Sequence, residues 1–92
     1  MSRTVTLYGR SNCGLCEEAE RMLQSIRATL PFELELVNIE ADPILLDRYI
    51  LAIPVVTVGD VEVARAPLRK APLEAGLTAA LAALTGTASQ TV

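Results

Sequence analysis

The residues best suited to chemistry are the chain's two thiols, in the run Cys13-Gly14-Leu15-Cys16. With two residues between them at the start of a helix, they lie about one turn apart, close enough to close a small disulfide ring. A thiolate at a helix N-terminus faces unpaired backbone N–H groups and the positive end of the helix dipole, and both favour the charged form. The expected chemistry is thiol–disulfide exchange, in which Cys13 attacks a substrate disulfide and Cys16 resolves the mixed disulfide. The helix terminus contributes about 0.3–1 kcal/mol, up to about 0.7 pKa unit, to lowering the Cys13 thiol. Arg10 and neighbouring N–H donors deepen that effect, while Glu17 and Glu18 oppose it. The chain has no His, but the exchange needs no dedicated base once the thiolate exists.

The same spacing also serves other chemistry. A structural zinc site takes four Cys or His ligands, and this chain has no His and no third Cys, so a metal would need a second chain or outside ligands. A dimeric metal or iron–sulfur carrier is one alternative, and a redox-sensing interaction module is another. As a structural staple the pair is weak, because so small a ring barely constrains the unfolded chain. The motif is diagnostic of redox work only beside a βαβ unit, so the flanking elements decide.

Thr4-Val5-Thr6-Leu7-Tyr8 alternates and is β-branched, and Gly9 with the polar Arg10-Ser11-Asn12 ends it, the pattern of a strand stopping just before the cysteines. Asn12 is placed to cap a helix from Gly14 to about Thr29, whose apolar Leu15, Ala19, Met22, Leu23, Ile26 and Leu30 follow helical spacing. Leu15 is expected to cover Cys16 or pack inward. After Pro31, the segment Phe32 to Ile39 alternates as a strand, and strand, helix and strand make a βαβ unit. Asp42-Pro43 reads as a cap and first position of a short helix to about Ile50, with Leu45, Leu46 and Tyr49 facing inward. Residues 53–58 and 61–64 read as two strands joined by a Gly59-Asp60 turn. Pro54 opens the first of them, and a last helix follows Pro72, weakened at Gly76 by about 1 kcal/mol relative to Ala.

Ninety-two residues make one domain, over 1–84, followed by a small polar tail, 85–92, expected to be disordered. Hydrophobic residues make up 51% but only three are aromatic, so the core is built of Leu, Ile, Val and Ala. A net charge of −3 with a single lysine, Lys70, argues against nucleic-acid binding. Met1-Ser2-Arg3-Thr4 runs into the first strand without a secretion signal, and no apolar run suffices to span a bilayer. The expectation is a cytoplasmic monomer without membrane contact, where a Cys pair is catalytic or metal-binding rather than structural.

The order β-α-β-α-β-β-α, with Cys-x-x-Cys at the first strand-to-helix junction and a Pro opening the third strand, resembles the thioredoxin superfamily and within it the glutaredoxin-like proteins. The resemblance covers about Thr4 to Leu84 and rests on Tyr8 through Cys16, on Asp42-Pro43 and on Ile53-Pro54-Val55. It implies an α/β thioredoxin-like fold, a four-stranded mixed sheet with helices on both faces, and a redox-active disulfide serving as an oxidoreductase in electron transport. It also implies a cis Ile53–Pro54 bond beside the thiols, which would leave the Ile53 backbone N–H and C=O free to pair with an extended substrate. Tyr8, Arg10, Ile53, Pro54 and Arg65 are the substrate-binding candidates, with Arg10 and Arg65 or Arg69 offering cationic contacts to a carboxylate. No bound cofactor is implied; the substrate would be a protein or small-molecule disulfide, with glutathione a candidate reductant. Ala64-Arg65-Ala66-Pro67-Leu68 lacks the Gly-Gly pair that commonly receives glutathione in that family, and Gly14-Leu15 replaces its common Pro-Tyr.

Overall fold

The computed structural model describes residues 3–90, with side chains through residue 84. In the first strand, β1 (Thr4–Gly9), alternation sends Val5, Leu7 and Gly9 to one face and Thr6 and Tyr8 to the other. β2 (Glu33–Asn38) runs parallel to it, pairing Val5 with Leu34 and Leu7 with Leu36. The parallel pair requires a crossover, supplied by the helix α1 (Gly14–Arg27). β3 (Val55–Val58) lies antiparallel on the other side of β1, and β4 (Val61–Arg65) returns along β3 through a turn in which Gly59 takes φ 60°. The sheet order is β2-β1-β3-β4.

One core forms where α1 and the last helix, α3 (Lys70–Gln90), lie on the Val5 face of the sheet. Ala19, Leu23 and Ile26 of α1 meet Leu73, Leu77 and Leu81 of α3 over Val5, Leu7, Val56 and Val58. Each fully buried Leu or Ile contributes about 1.5–3 kcal/mol by leaving water. Lys70 adds a polar tie between the two helices, its Nζ donating to Ser25 Oγ at 2.7 Å. The opposite face carries the short helix α2 (Pro43–Tyr49), preceded by a single 3₁₀ turn, Ile39–Ala41. The expected architecture, a four-stranded mixed sheet with helices on both faces, is therefore present.

Several local expectations differ. Asn12 does not cap α1: it sits one residue earlier with φ 57°, and Cys13 is the N-cap. Leu15 does not pack inward but is 60% exposed, because Cys16 occupies the inward direction at that turn. α3 begins at Lys70, with Leu73 N–H bonding Arg69 C=O at 3.0 Å, so Pro72 lies inside the first turn, where its missing N–H costs nothing. Asp42 does cap α2, accepting from Ile44 N–H at 2.9 Å. Leu45, Leu46 and Tyr49, expected to face inward, are half-buried, with the Tyr49 ring against Tyr8 of the sheet. Of the tail expected to be disordered at 85–92, residues 85–90 continue α3, and 91–92 lie outside the described residues.

Candidate active site

Cys13 and Cys16 meet at the C-terminal end of β1, where the chain turns into α1. Cys13 is half-buried with an extended backbone, while Cys16 is 7% exposed and faces the core. Their Cα atoms are 5.2 Å apart and the sulfurs are joined in a disulfide. The Cys16 backbone N–H donates to Cys13 Sγ at 3.2 Å, and Glu17 N–H donates to Cys13 C=O at 3.1 Å. Thus the first sulfur caps the helix and receives one of its unpaired donors, the arrangement that favours a thiolate when the bond is open.

The loop before the pair is held from the β2 side. Ser11 N–H donates to Glu40 Oε1 at 3.3 Å, Asn38 Nδ2 donates to Ser11 Oγ at 3.3 Å, and Asn38 Oδ1 in turn accepts from Glu40 N–H at 2.9 Å. Between this loop, α1 and β2 lies a cleft of about 270 Å³, walled by Cys16 and Gly9 and rimmed by Arg10, Glu17 and Glu20. Leu36, 53% exposed, forms part of its wall. On the other flank of α1 a smaller hollow of about 100 Å³ brings Leu15 and Met22 together with Pro54, Pro67 and Leu68.

The expected site residues divide between these surroundings. Arg10 stands at the rim of the larger cleft, and Pro54 lies in the smaller hollow beside Leu15. The Ile53–Pro54 bond is cis, as the resemblance implied, and Ala66–Pro67 is cis as well. The Ile53 N–H is not free: it donates to Tyr49 C=O at 3.0 Å, because the chain leaving α2 continues in a helical turn up to that residue. Tyr8 points to the opposite face of the sheet from Gly9, where its ring stacks on Tyr49 with centroids 4.7 Å apart. Arg65 is turned to Glu62, to which its Nε and Nη2 donate at 2.8 and 2.7 Å. That bidentate pair raises the arginine's pKa and holds the Glu62 carboxyl below its ordinary value, chiefly through the hydrogen bonds. The guanidinium is thereby occupied, and Arg65 lines neither recess beside the cysteines.

Two contributors were not singled out from sequence. Gly9 occupies a core-facing strand position where Val5 and Leu7 predict another hydrophobe, and a gap in that series is the available signal. Pro67 joins Pro54 in the hollow through the fold-back of β4, marked by Ala66 N–H donating to Ala52 C=O at 3.4 Å. No local pattern in the sequence reports that pairing.

A mixed four-stranded sheet with three helices, carrying a Cys-x-x-Cys pair at the β1–α1 junction, defines a thioredoxin-fold protein. Residues 4–78 match the family described as glutaredoxin-like domain (DUF836), and the chain belongs to that family. Among solved structures it is similar to the X-ray structure of Northeast Structural Genomics target protein XcR50 from X. campestris, at 33% identity and TM-score 0.71, over 82% of this chain and 96% of that one. It is also similar to the solution structure of protein Ne2328 from Nitrosomonas europaea, at 32% identity and TM-score 0.70, over 82% and 91%. Thioredoxin 1 from Thermosipho africanus shares the fold at 13% identity and TM-score 0.63, over 89% of this chain and 98% of that one. A search of curated proteins finds no match. Among the described residues no helix is long and apolar enough to cross a membrane.

Proposed function

We propose that this protein is a cytoplasmic thiol–disulfide oxidoreductase of the glutaredoxin-like kind, working by dithiol exchange between Cys13, Cys16 and a client disulfide. The observation that carries this reading is the asymmetry of the pair. Cys13 is accessible and receives a helix N–H, whereas Cys16 is buried one turn below it and already within bonding reach. Cys13 thiolate attacks one sulfur of the client disulfide, forming a mixed disulfide and releasing the other sulfur as a thiolate, which takes a proton from water. Cys16, losing its proton to water, then attacks Cys13 Sγ and expels the client's second sulfur as a thiolate, which takes up a proton. The client gains two electrons and becomes a dithiol, while Cys13 and Cys16 become the disulfide.

Arg10, at the rim of the larger cleft, is the available cation for an acidic client group, and the hollow lined by Leu15, Pro54 and Leu68 offers apolar contact. A protein or a low-molecular-weight disulfide fits this reading, and glutathione is the proposed reductant to test first. The decisive experiment traps the Cys16→Ser variant as a mixed disulfide in cell extract and identifies the adduct by mass. Cys13→Ser should abolish both the adduct and turnover of a small disulfide such as hydroxyethyl disulfide. Turnover that survives Cys13→Ser, or a Cys13 that forms no adduct, would reject the proposal.

A further inference from the structure

Gly9 ends β1 on the core-facing side, in ordinary strand conformation with no positive φ to require a glycine. A Cβ at this position would lie 3.1 Å from Cys16 Cβ and 3.1 Å from Cys16 Sγ, the only such contacts within 4 Å among the described residues beyond its chain neighbours. Optimal non-bonded separations between carbons are about 3.5–4.0 Å, and sulfur is larger. The missing side chain therefore makes room for one residue, the second cysteine.

We propose that Gly9 is a positioning residue for the resolving thiol, its bare Cα allowing Cys16 Sγ to sit where it can bond Cys13 and so favouring the disulfide over the dithiol. In the disulfide, Cys16 Sγ is pinned by its bond and cannot turn away from residue 9. In the dithiol it is free to take another χ1 well, and the cleft that Gly9 and Cys16 share lies beside it. A methyl group at residue 9 thus raises the free energy of the oxidised form more than that of the reduced form. The same crowding acts on resolution, because Cys16 attacking Cys13 Sγ occupies nearly its disulfide position as the client's thiolate leaves. The first attack belongs to Cys13, which has no atom within 4 Å of the added methyl.

The kinetic half of this inference rests on the proposed exchange, while the equilibrium half needs only a pair that opens and closes. The test compares the wild-type protein with Gly9→Ala, equilibrated in dithiothreitol redox buffers and quantified by alkylation. The expected result is about a tenfold loss of disulfide at a given buffer ratio, corresponding to a potential about 30 mV higher for this two-electron couple. Thermal unfolding should show the oxidised form of Gly9→Ala losing more stability than the reduced form. Release of a thionitrobenzoate adduct from Cys13 by Cys16 should slow about tenfold by the same crowding. Formation of that adduct in a Cys16→Ser background should be unchanged. An unshifted potential, or equal loss of stability in both redox forms, complete unfolding included, overturns the inference. Failure of the proposed function would look different, as an inert Cys13 with the shift in potential intact.

Discussion

The rings of Tyr8 and Tyr49 stack 4.7 Å apart with their planes inclined by 29°, and this contact joins the strand that leads into the cysteines to the helix that leads into Pro54. The Tyr49 carbonyl accepts from Ala52 N–H at 2.8 Å and Ile53 N–H at 3.0 Å, so the loop carrying Pro54 is registered on the sheet partly through one aromatic pair. Aromatic pairs of this kind contribute about 0.5–1.5 kcal/mol beyond burial. Tyr8→Leu and Tyr49→Leu, alone and together, should give a coupling of that size in a double-mutant cycle measured by urea unfolding. Additive effects would mean the two rings merely touch.

Reduced Cys13 should alkylate faster than a free cysteine at neutral pH. A lowering of up to about 0.7 pKa unit from the helix terminus alone corresponds to as much as about fivefold more thiolate below the titration midpoint. Iodoacetamide labelling followed by mass mapping should find Cys13 modified before Cys16, which is only 7% exposed in the disulfide form. Equal rates at the two thiols would contradict the asymmetry on which the mechanism is built.

Gly76→Ala should destabilise the protein despite its gain of about 1 kcal/mol in helix propensity. β4 carries one extra residue relative to β3, Val63, at a break in register, and a Cβ at Gly76 would lie 2.8 Å from Val63 Cγ1. Val is stiff at χ1, so the methyl group cannot swing clear, and overpacking costs of about 1–3 kcal/mol exceed the propensity gain. Denaturant midpoints should fall for Gly76→Ala and recover when Val63→Ala is added. A rise in the midpoint for the single variant would show that α3 and β4 can part more easily than their packing indicates.

The Glu62–Arg65 pair should add an acid-side pH dependence to stability. The folded-state pKa of Glu62 lies below its ordinary 4.5, chiefly through the hydrogen bond from Arg65. Its contribution is therefore present above the unfolded value and disappears as pH falls through the folded one. Both side chains are substantially exposed, so the effect is small and weakens with salt. A carboxyl titration by NMR should place the Glu62 midpoint below that of an unpaired glutamate, and Arg65→Gln should bring it back up. Activity should not follow the titration, since Arg65 lines neither recess beside the cysteines.

Much of this molecule can be read from periodicity, because burial imposes it. The alternation of Val5 and Leu7, the helical spacing of Ala19, Leu23 and Ile26, and the Asp42-Pro43 start each predict the element found there. What the pattern does not carry is where the folded backbone redirects a residue. Leu15 satisfies helical spacing yet faces outward, since the inward place goes to Cys16. Arg65 looks like a free cation until the bulge in β4 brings it to Glu62. The Ile53 N–H looks available until the turn after α2 closes on it. Gly76, a weak point by helix propensity, is where α3 can approach β4. Cys16 and Glu62 share an element with Leu15 and Arg65, while Tyr49 and Val63 lie on other elements than Ile53 and Gly76. In each case the outcome depends on how the folded backbone turns the two residues, for which single-sequence spacing contains no term.

Cys13 is half-buried and Cys16 nearly wholly so. Electrons arriving from a donor and electrons departing to an acceptor would consequently share one doorway. Under the proposed exchange two visitors could not stand in it together, so encounters would alternate, each finished before the next began, and a poor acceptor would compete directly with the donor for the same atom.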